Sequence, residues 1–325
     1  MGQNGRVTSW AAIESGAPPH GTNAAASGRA AQSLQSKPVA VRLRRSQRLI
    51  VGSIDAAGHV FQRRARHVVL GSAVLMVPMV ALHLLLTVLA FDQYQNFDTF
   101  LGDTGYVGVE TGLVLLGVVL QSFSAHLVGA FTAAFLVPYQ LGGEPRVGAC
   151  LRRVLRKFPL LLLTWALTHW PTLLVLWWFA MIAPEQVVAF SGLMVPMIAT
   201  ISAATLVIAP VVMSEHLGVR SIVRAWRLVR PRFGVAFGFV IACGVLGALL
   251  ATFIAFLPDL AATTGFITFG SFAWLVQGMA TQLAILIVVP FVALATAQMY
   301  LQFRVQIEGM DIVIAADRVF GKSTS

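Results

Sequence analysis

Three histidines, His83, His126 and His169, fall near the middle of three separate apolar stretches of the chain. Imidazole changes charge close to neutral pH and, when neutral, ligates transition metals through a ring nitrogen. Ionisable groups inside a bilayer are costly, so they are functional candidates by default. If the three stretches touch, these rings form a candidate intramembrane polar site that binds a metal or relays a proton. Gln121, Ser122, Ser124, Thr164 and Thr168 would supply hydrogen bonds nearby. The simpler alternative is three neutral histidines, each hydrogen-bonded between helices.

Other reactive constellations are missing from the sequence. It has no HExxH zinc pair, no GxSxG nucleophile turn and no GxxxxGK[ST] phosphate loop. Asp92, Asp98 and Asp103 share one short segment but lack the dense alternate spacing of a calcium loop. Cys150 and Cys243 belong to no CxxC pattern. They also fall at different expected depths, which argues against a disulfide. The chain is therefore expected not to be an enzyme and to need no cofactor.

The elements that must position these residues are hydrophobic. Apolar residues make up 57% of the chain, charged residues 11%, and mean hydropathy is +0.79. A soluble domain needs about 25% charged residues to cover its surface. Six stretches are long enough to cross a bilayer as helices. They run over residues 68–91, 109–139, 158–183, 187–213, 234–257 and 271–303. Pro78, Pro171, Pro196, Pro210 and Pro290 lie inside them and predict local kinks. Residues 1–46, rich in Ala, Gly, Ser and Pro, read as a disordered basic tail. Arg44-Arg45 is too far from the next apolar run to act as an export signal. Residues 47–303 form the membrane domain and 304–325 a cytoplasmic tail.

Charge fixes the expected orientation. All 23 Lys and Arg residues fall before the first stretch, between the second and third, between the fourth and fifth, or at and beyond the end of the sixth. Positive charge is retained in the cytoplasm during insertion, so both termini are expected there. The opposite loops carry Asp92, Asp98, Asp103, Glu185 and Asp259. A net charge of +10 would suggest nucleic acid in a soluble protein. Beside membrane spans it points instead to topology and anionic lipid headgroups.

Three basic segments share a helical period. Val147, Cys150, Leu151, Val154, Leu155 and Phe158 oppose Arg152, Arg153, Arg156 and Lys157. Val219, Ile222, Val223, Trp226 and Val229 oppose Arg220, Arg224 and Arg227, with a bend at Pro231. Ile50, Ile54, Ala57 and Phe61 oppose Asp55, His59, Gln62, Arg63 and Arg66, with Arg64 beside them. Such helices are expected to lie in the cytoplasmic interface, stripe toward the acyl chains and arginines at the phosphates. The alternative is a collar of helices packed on one another. Each basic helix followed by an outward and a return span makes three related hairpins.

Two stretches resemble the bacterial and archaeal membrane domain attached to some glycerophosphoryl diester phosphodiesterases, which also occurs as stand-alone six-span proteins. The first runs over Ala209-Pro210-Val211-Val212, Glu215 to Gly218, and Ser221-Ile222-Val223-Arg224-Ala225-Trp226-Arg227-Leu228-Val229-Arg230, continuing past Phe233. The second is Tyr300-Leu301-Gln302-Phe303-Arg304-Val305 with Glu308-Gly309-Met310-Asp311. In layout the resemblance covers most of residues 47–315. It implies an all-helical integral membrane fold and carries over no phosphodiesterase activity, since the catalytic barrel of that family is a separate domain.

The resulting expectation is a non-enzymatic, multi-pass protein of the bacterial plasma membrane. Its partners would be anionic membrane lipids and a membrane protein, not nucleic acid. Lipid binding or envelope scaffolding leads. Transport of a lipid or small solute, or positioning of a membrane enzyme, are the alternatives.

Overall fold

The computed structural model of the chain describes residues 46–91, 109–140, 143–180, 187–265 and 273–309, and no strand occurs among them. The elements are α1 (Ser46–Phe91), α2 (Val109–Gln140), α3 (Val147–Arg156), α4 (Phe158–Ala180), α5 (Val187–Thr205), α6 (Ile208–Ser214), α7 (Ser221–Val229), α8 (Phe233–Thr263) and α9 (Ala273–Glu308). Short 3-10 turns at Gly218–Arg220 and Arg230–Arg232 flank α7. Six helical segments are long and apolar enough to cross a membrane. A helix satisfies its own backbone polar groups, which hydrocarbon cannot do. Residues 1–45 and 310–325 of the expected tails and the acidic loop residues Asp92, Asp98, Asp103 and Glu185 lie outside the described residues, as do the side chains of Asp259 and His83, whereas residues 304–308, expected in the C-terminal tail, continue α9 as helix.

Two expected elements are built differently, and α8 and α9 run past their expected ends at 257 and 303, to Thr263 and Glu308. The first basic segment and the first span are not separate helices but one run, α1, interrupted only at Arg64 (φ −131°, ψ 21°). The fourth span is not one helix over 187–213. It breaks after Thr205 and resumes as α6 at Ile208. Pro210 supplies the reason, because it has no N–H to return to the Leu206 carbonyl four residues back. The ladder restarts with Val211 N–H donating to Val207 O at 3.0 Å. Helix continues through Pro78, Pro171, Pro196 and Pro290.

The centre of the bundle is α2, which packs against α1, α3, α4, α6 and α9. Phe131, Phe135 and Leu136 of α2 are fully buried with Tyr300 and Phe303 of α9 and Met213 of α6. Small residues let helix backbones approach closely in such bundles. At Gly71 of α1, a Cβ would sit 2.0 Å from the Phe131 ring, so glycine alone fits there. By contrast, α8 exposes Val245, Leu249, Phe253, Phe256 and Leu257, and α4 exposes Leu163, Leu167, Leu174, Trp177 and Trp178. Only an apolar solvent covers such faces without penalty.

The stripes of the basic segments do not all face outward. Ala57 is buried, and Ile50, Ile54 and Phe61 pack against the core. Phe61 meets Phe291 of α9 edge to face at 5.8 Å. Cys150 and Val154 of α3 are likewise buried, with Val147, Leu151 and Phe158 beside them, leaving Leu155 outward. In α7 the buried positions are Ser221, Ala225, Leu228 and Val229, while Val223 and Trp226, and Val219 in the turn before it, stay exposed. An apolar stripe fits a neighbouring helix as well as it fits acyl chains. Its direction is therefore decided by which neighbours are available.

Candidate functional site

Two polar centres occupy the bundle. The first lies between α2 and α4. His126 and His169 approach with ring centroids 5.6 Å apart and planes at 79°. Nδ1 of His169 lies 3.2 Å from the Trp165 carbonyl one turn earlier and 3.1 Å from Thr168 Oγ1. The carbonyl can only accept, so it favours a proton on Nδ1 and leaves Nε2 as a lone-pair donor. Trp165 stacks on His169 at 5.8 Å and donates its Nε1–H to Ser122 Oγ at 3.2 Å. Nε2 of His126 is buried without a hydrogen-bond partner among the described residues. Of the three histidines singled out in the sequence, two therefore meet. The third, His83, lies on α1, and its side chain is outside the described residues.

The second centre is an ion cluster where α6 ends, α7 begins and α9 finishes. Glu215 is only 5% exposed, yet it sits beside the apolar end of α6. Its Oε2 accepts from Arg224 Nε at 2.8 Å and its Oε1 from the Tyr300 hydroxyl at 3.1 Å. Arg304 stands 3.8 Å from Oε1 and donates to the Tyr300 oxygen at 3.3 Å. Glu308 closes the ring, accepting from Arg304 Nε at 2.9 Å and pairing with Arg224. Two guanidinium groups and two carboxylates cancel. Burial of an unpaired charge would cost several kcal/mol, roughly, and this arrangement avoids it.

The α3 cations are drawn into the same region. Arg153 donates to the Met213 carbonyl at 2.9 Å and Lys157 to the Val212 carbonyl at 2.5 Å. Both carbonyls belong to the last turn of α6, where helix acceptors have no partner of their own and carry partial negative charge. Burial, reinforced by neighbouring Arg153, pushes the Lys157 ammonium down to about 8. Burial pushes the Cys150 thiol up to about 11, and the thiol points at the Ala134 carbonyl at 3.5 Å. On α1, the Arg64 guanidinium lies 5.8 Å from the centre of the Tyr139 ring at the end of α2.

Of the ten basic residues predicted to face the interface, Arg64, Arg153, Lys157 and Arg224 are thus engaged within the protein. Arg63, Arg66, Arg152, Arg156, Arg220 and Arg227 are exposed. The ion cluster is a site that spacing arguments missed, because Glu215 and Tyr300 lie 85 residues apart in the chain. One signal was present. Glu215 is a lone carboxylate directly after an apolar run, with Arg220, Arg224 and Arg227 following it. The cluster joins residues 209–230 to residues 300–308. No protein-family model, curated protein or solved structure matches the chain.

Proposed function

We propose that the chain is a non-enzymatic, multi-pass protein of a bacterial plasma membrane, with both termini cytoplasmic, that holds anionic lipid headgroups at its basic end. The observation that carries this reading is how the arginines divide. Glu215 and Glu308 are already paired with Arg224 and Arg304, so they do not neutralise the exposed Arg63, Arg66, Arg152, Arg156, Arg220 and Arg227. Each such cation near an anionic leaflet contributes about 1 kcal/mol, and the attraction weakens with salt. α7 and the 3-10 turn before it have the surface an interfacial helix requires, since exposed Val219, Val223 and Trp226 accompany exposed Arg220 and Arg227. The three-hairpin plan and the resemblance to the phosphodiesterase membrane domain agree with this reading. A membrane protein held on the same scaffold fits it too.

The test is mass spectrometry of the intact protein released from native lipid discs, compared with a variant in which these six arginines are glutamine. Stoichiometric anionic lipid on the native chain and its loss from the variant are expected. Equal lipid on both would overturn the proposal, and a stoichiometric protein companion with only bulk lipid would favour scaffolding. The approach of His126 to His169 supports a second reading, passage of a lipid or small solute through the bundle. Unchanged function after replacing His83, His126 and His169 with glutamine, with folding retained, would end that reading.

A further inference from the structure

We propose that His126 and His169 form a two-coordinate site for a soft monovalent cation, copper(I), between α2 and α4. The site is separate from the basic end and does not depend on the lipid reading. Its donors are two imidazoles on neighbouring helices. The Trp165 carbonyl fixes the orientation of one, and the other has a buried Nε2 with no partner among the described residues. A metal–imidazole bond is about 2 Å long, so one ion separates two ligating nitrogens by about 4 Å. A ring nitrogen lies about 1.1 Å from its centroid, so centroids 5.6 Å apart bring facing nitrogens to about 3.3 Å, and the rings part by about 0.7 Å to admit the ion. The 79° between the ring planes is no obstacle, because rings on opposite sides of a linear ion can be twisted freely about the shared axis.

Ligand number and charge select the metal. Among the described residues no group of three or more His, Cys, Asp or Glu could hold an ion. Zinc takes four ligands in its protein sites, or three and a water. Copper(I) is satisfied by two nitrogens in a line, and imidazole suits it. The desolvation cost of an ion grows with the square of its charge, and among the described residues no carboxylate contacts either ring to offset a dication. A monovalent ion between two neutral ligands therefore suits a site within a membrane span, beside the Trp165 ring that stacks on His169 at 5.8 Å. Binding needs no redox step, only the reduced ion.

The experiment titrates the full-length protein in lipid discs with Cu⁺ under anaerobic reducing conditions, against a chromogenic Cu⁺ chelator. X-ray absorption then reads the ligands. One equivalent with two nitrogen ligands and no sulfur is expected. That component is expected to disappear in His126→Leu and in His169→Leu and to persist in His83→Leu, with helical circular dichroism and elution unchanged. The absorption spectrum of the native protein decides the matter even if a variant fails to fold. Sulfur ligands, a third protein ligand, no saturable uptake, loss of binding in His83→Leu, or equal affinity for Zn²⁺ at the same histidines would each overturn the proposal.

Discussion

At the scale of single residues, Glu215 decides the most. It is buried, and its two oxygens take three partners from two other elements: Arg224 of α7, and Tyr300 and Arg304 of α9. Removing one member of a buried ion pair strands the remaining charge and costs about 3–5 kcal/mol. Glu215→Gln is therefore expected to lower the thermal unfolding midpoint in mild detergent far more than Arg227→Gln. Arg227 is exposed, and exposed changes are commonly within about 0.5 kcal/mol. Equal midpoints would show that the cluster holds nothing together. Adding Arg224→Gln to Glu215→Gln should recover part of the loss, because the two sites are coupled. Lys157 supplies a second prediction. With its ammonium held down to about 8, amine acylation followed by peptide mass spectrometry should show half-reaction near that pH. An ordinary lysine titrates near 10.5. The folded state binds fewer protons at Lys157 than the unfolded chain between these two values, so its contribution to stability rises with pH across that window. A Lys157 midpoint above 10 would contradict the buried contact with Val212.

At the scale of elements, the helices were legible in the sequence to the extent that hydropathy alone builds them. α4 and α8 begin within about one residue of the expected starts, because a change from basic to apolar residues marks each boundary, and α2 begins at Val109 as expected, where an acidic, polar segment gives way to an apolar run. The break before α6 was not legible. Of the five prolines singled out inside expected spans, only Pro210 follows a break in the helix, which depends on whether neighbours can satisfy the freed carbonyl. The direction of the apolar stripes was equally hidden, since protein and lipid reward the same residues. The ion cluster needed long-range contact to be seen, and so did the pairing of His126 with His169. Close contact between α1 and α2 gives this scale its own prediction. Gly71→Ala places a methyl against the fully buried Phe131 ring, and overpacking of this kind costs about 1–3 kcal/mol. Less folded protein in detergent extracts and a lower unfolding midpoint are expected. Gly71→Ala with Phe131→Leu should regain much of the loss, and failure to do so would place the strain elsewhere.

At the scale of the whole molecule, one arrangement accounts for both the charge and the contacts. Arg64 over Tyr139 joins α1 to the end of α2, and Arg153 and Lys157 join α3 to the end of α6. Arg224, Arg304 and Glu308 join α7 to the end of α9. Residues from every basic segment thus help to tie these helix ends together. A bundle tied in this way could not insert with some basic segments on each side without breaking those contacts, so positive charge and packing favour the same topology. Cysteine labelling tests it well, because both native thiols are buried and Cys150 is held mostly protonated at neutral pH. In intact cells, an impermeant maleimide should label Asp98→Cys at once and leave Arg152→Cys and Arg227→Cys unlabelled until the membrane is opened. Labelling of either arginine position from outside would overturn the proposed orientation. Labelling of one and not the other would be more damaging, since a split basic end cannot form the contacts that link α3, α6 and α7.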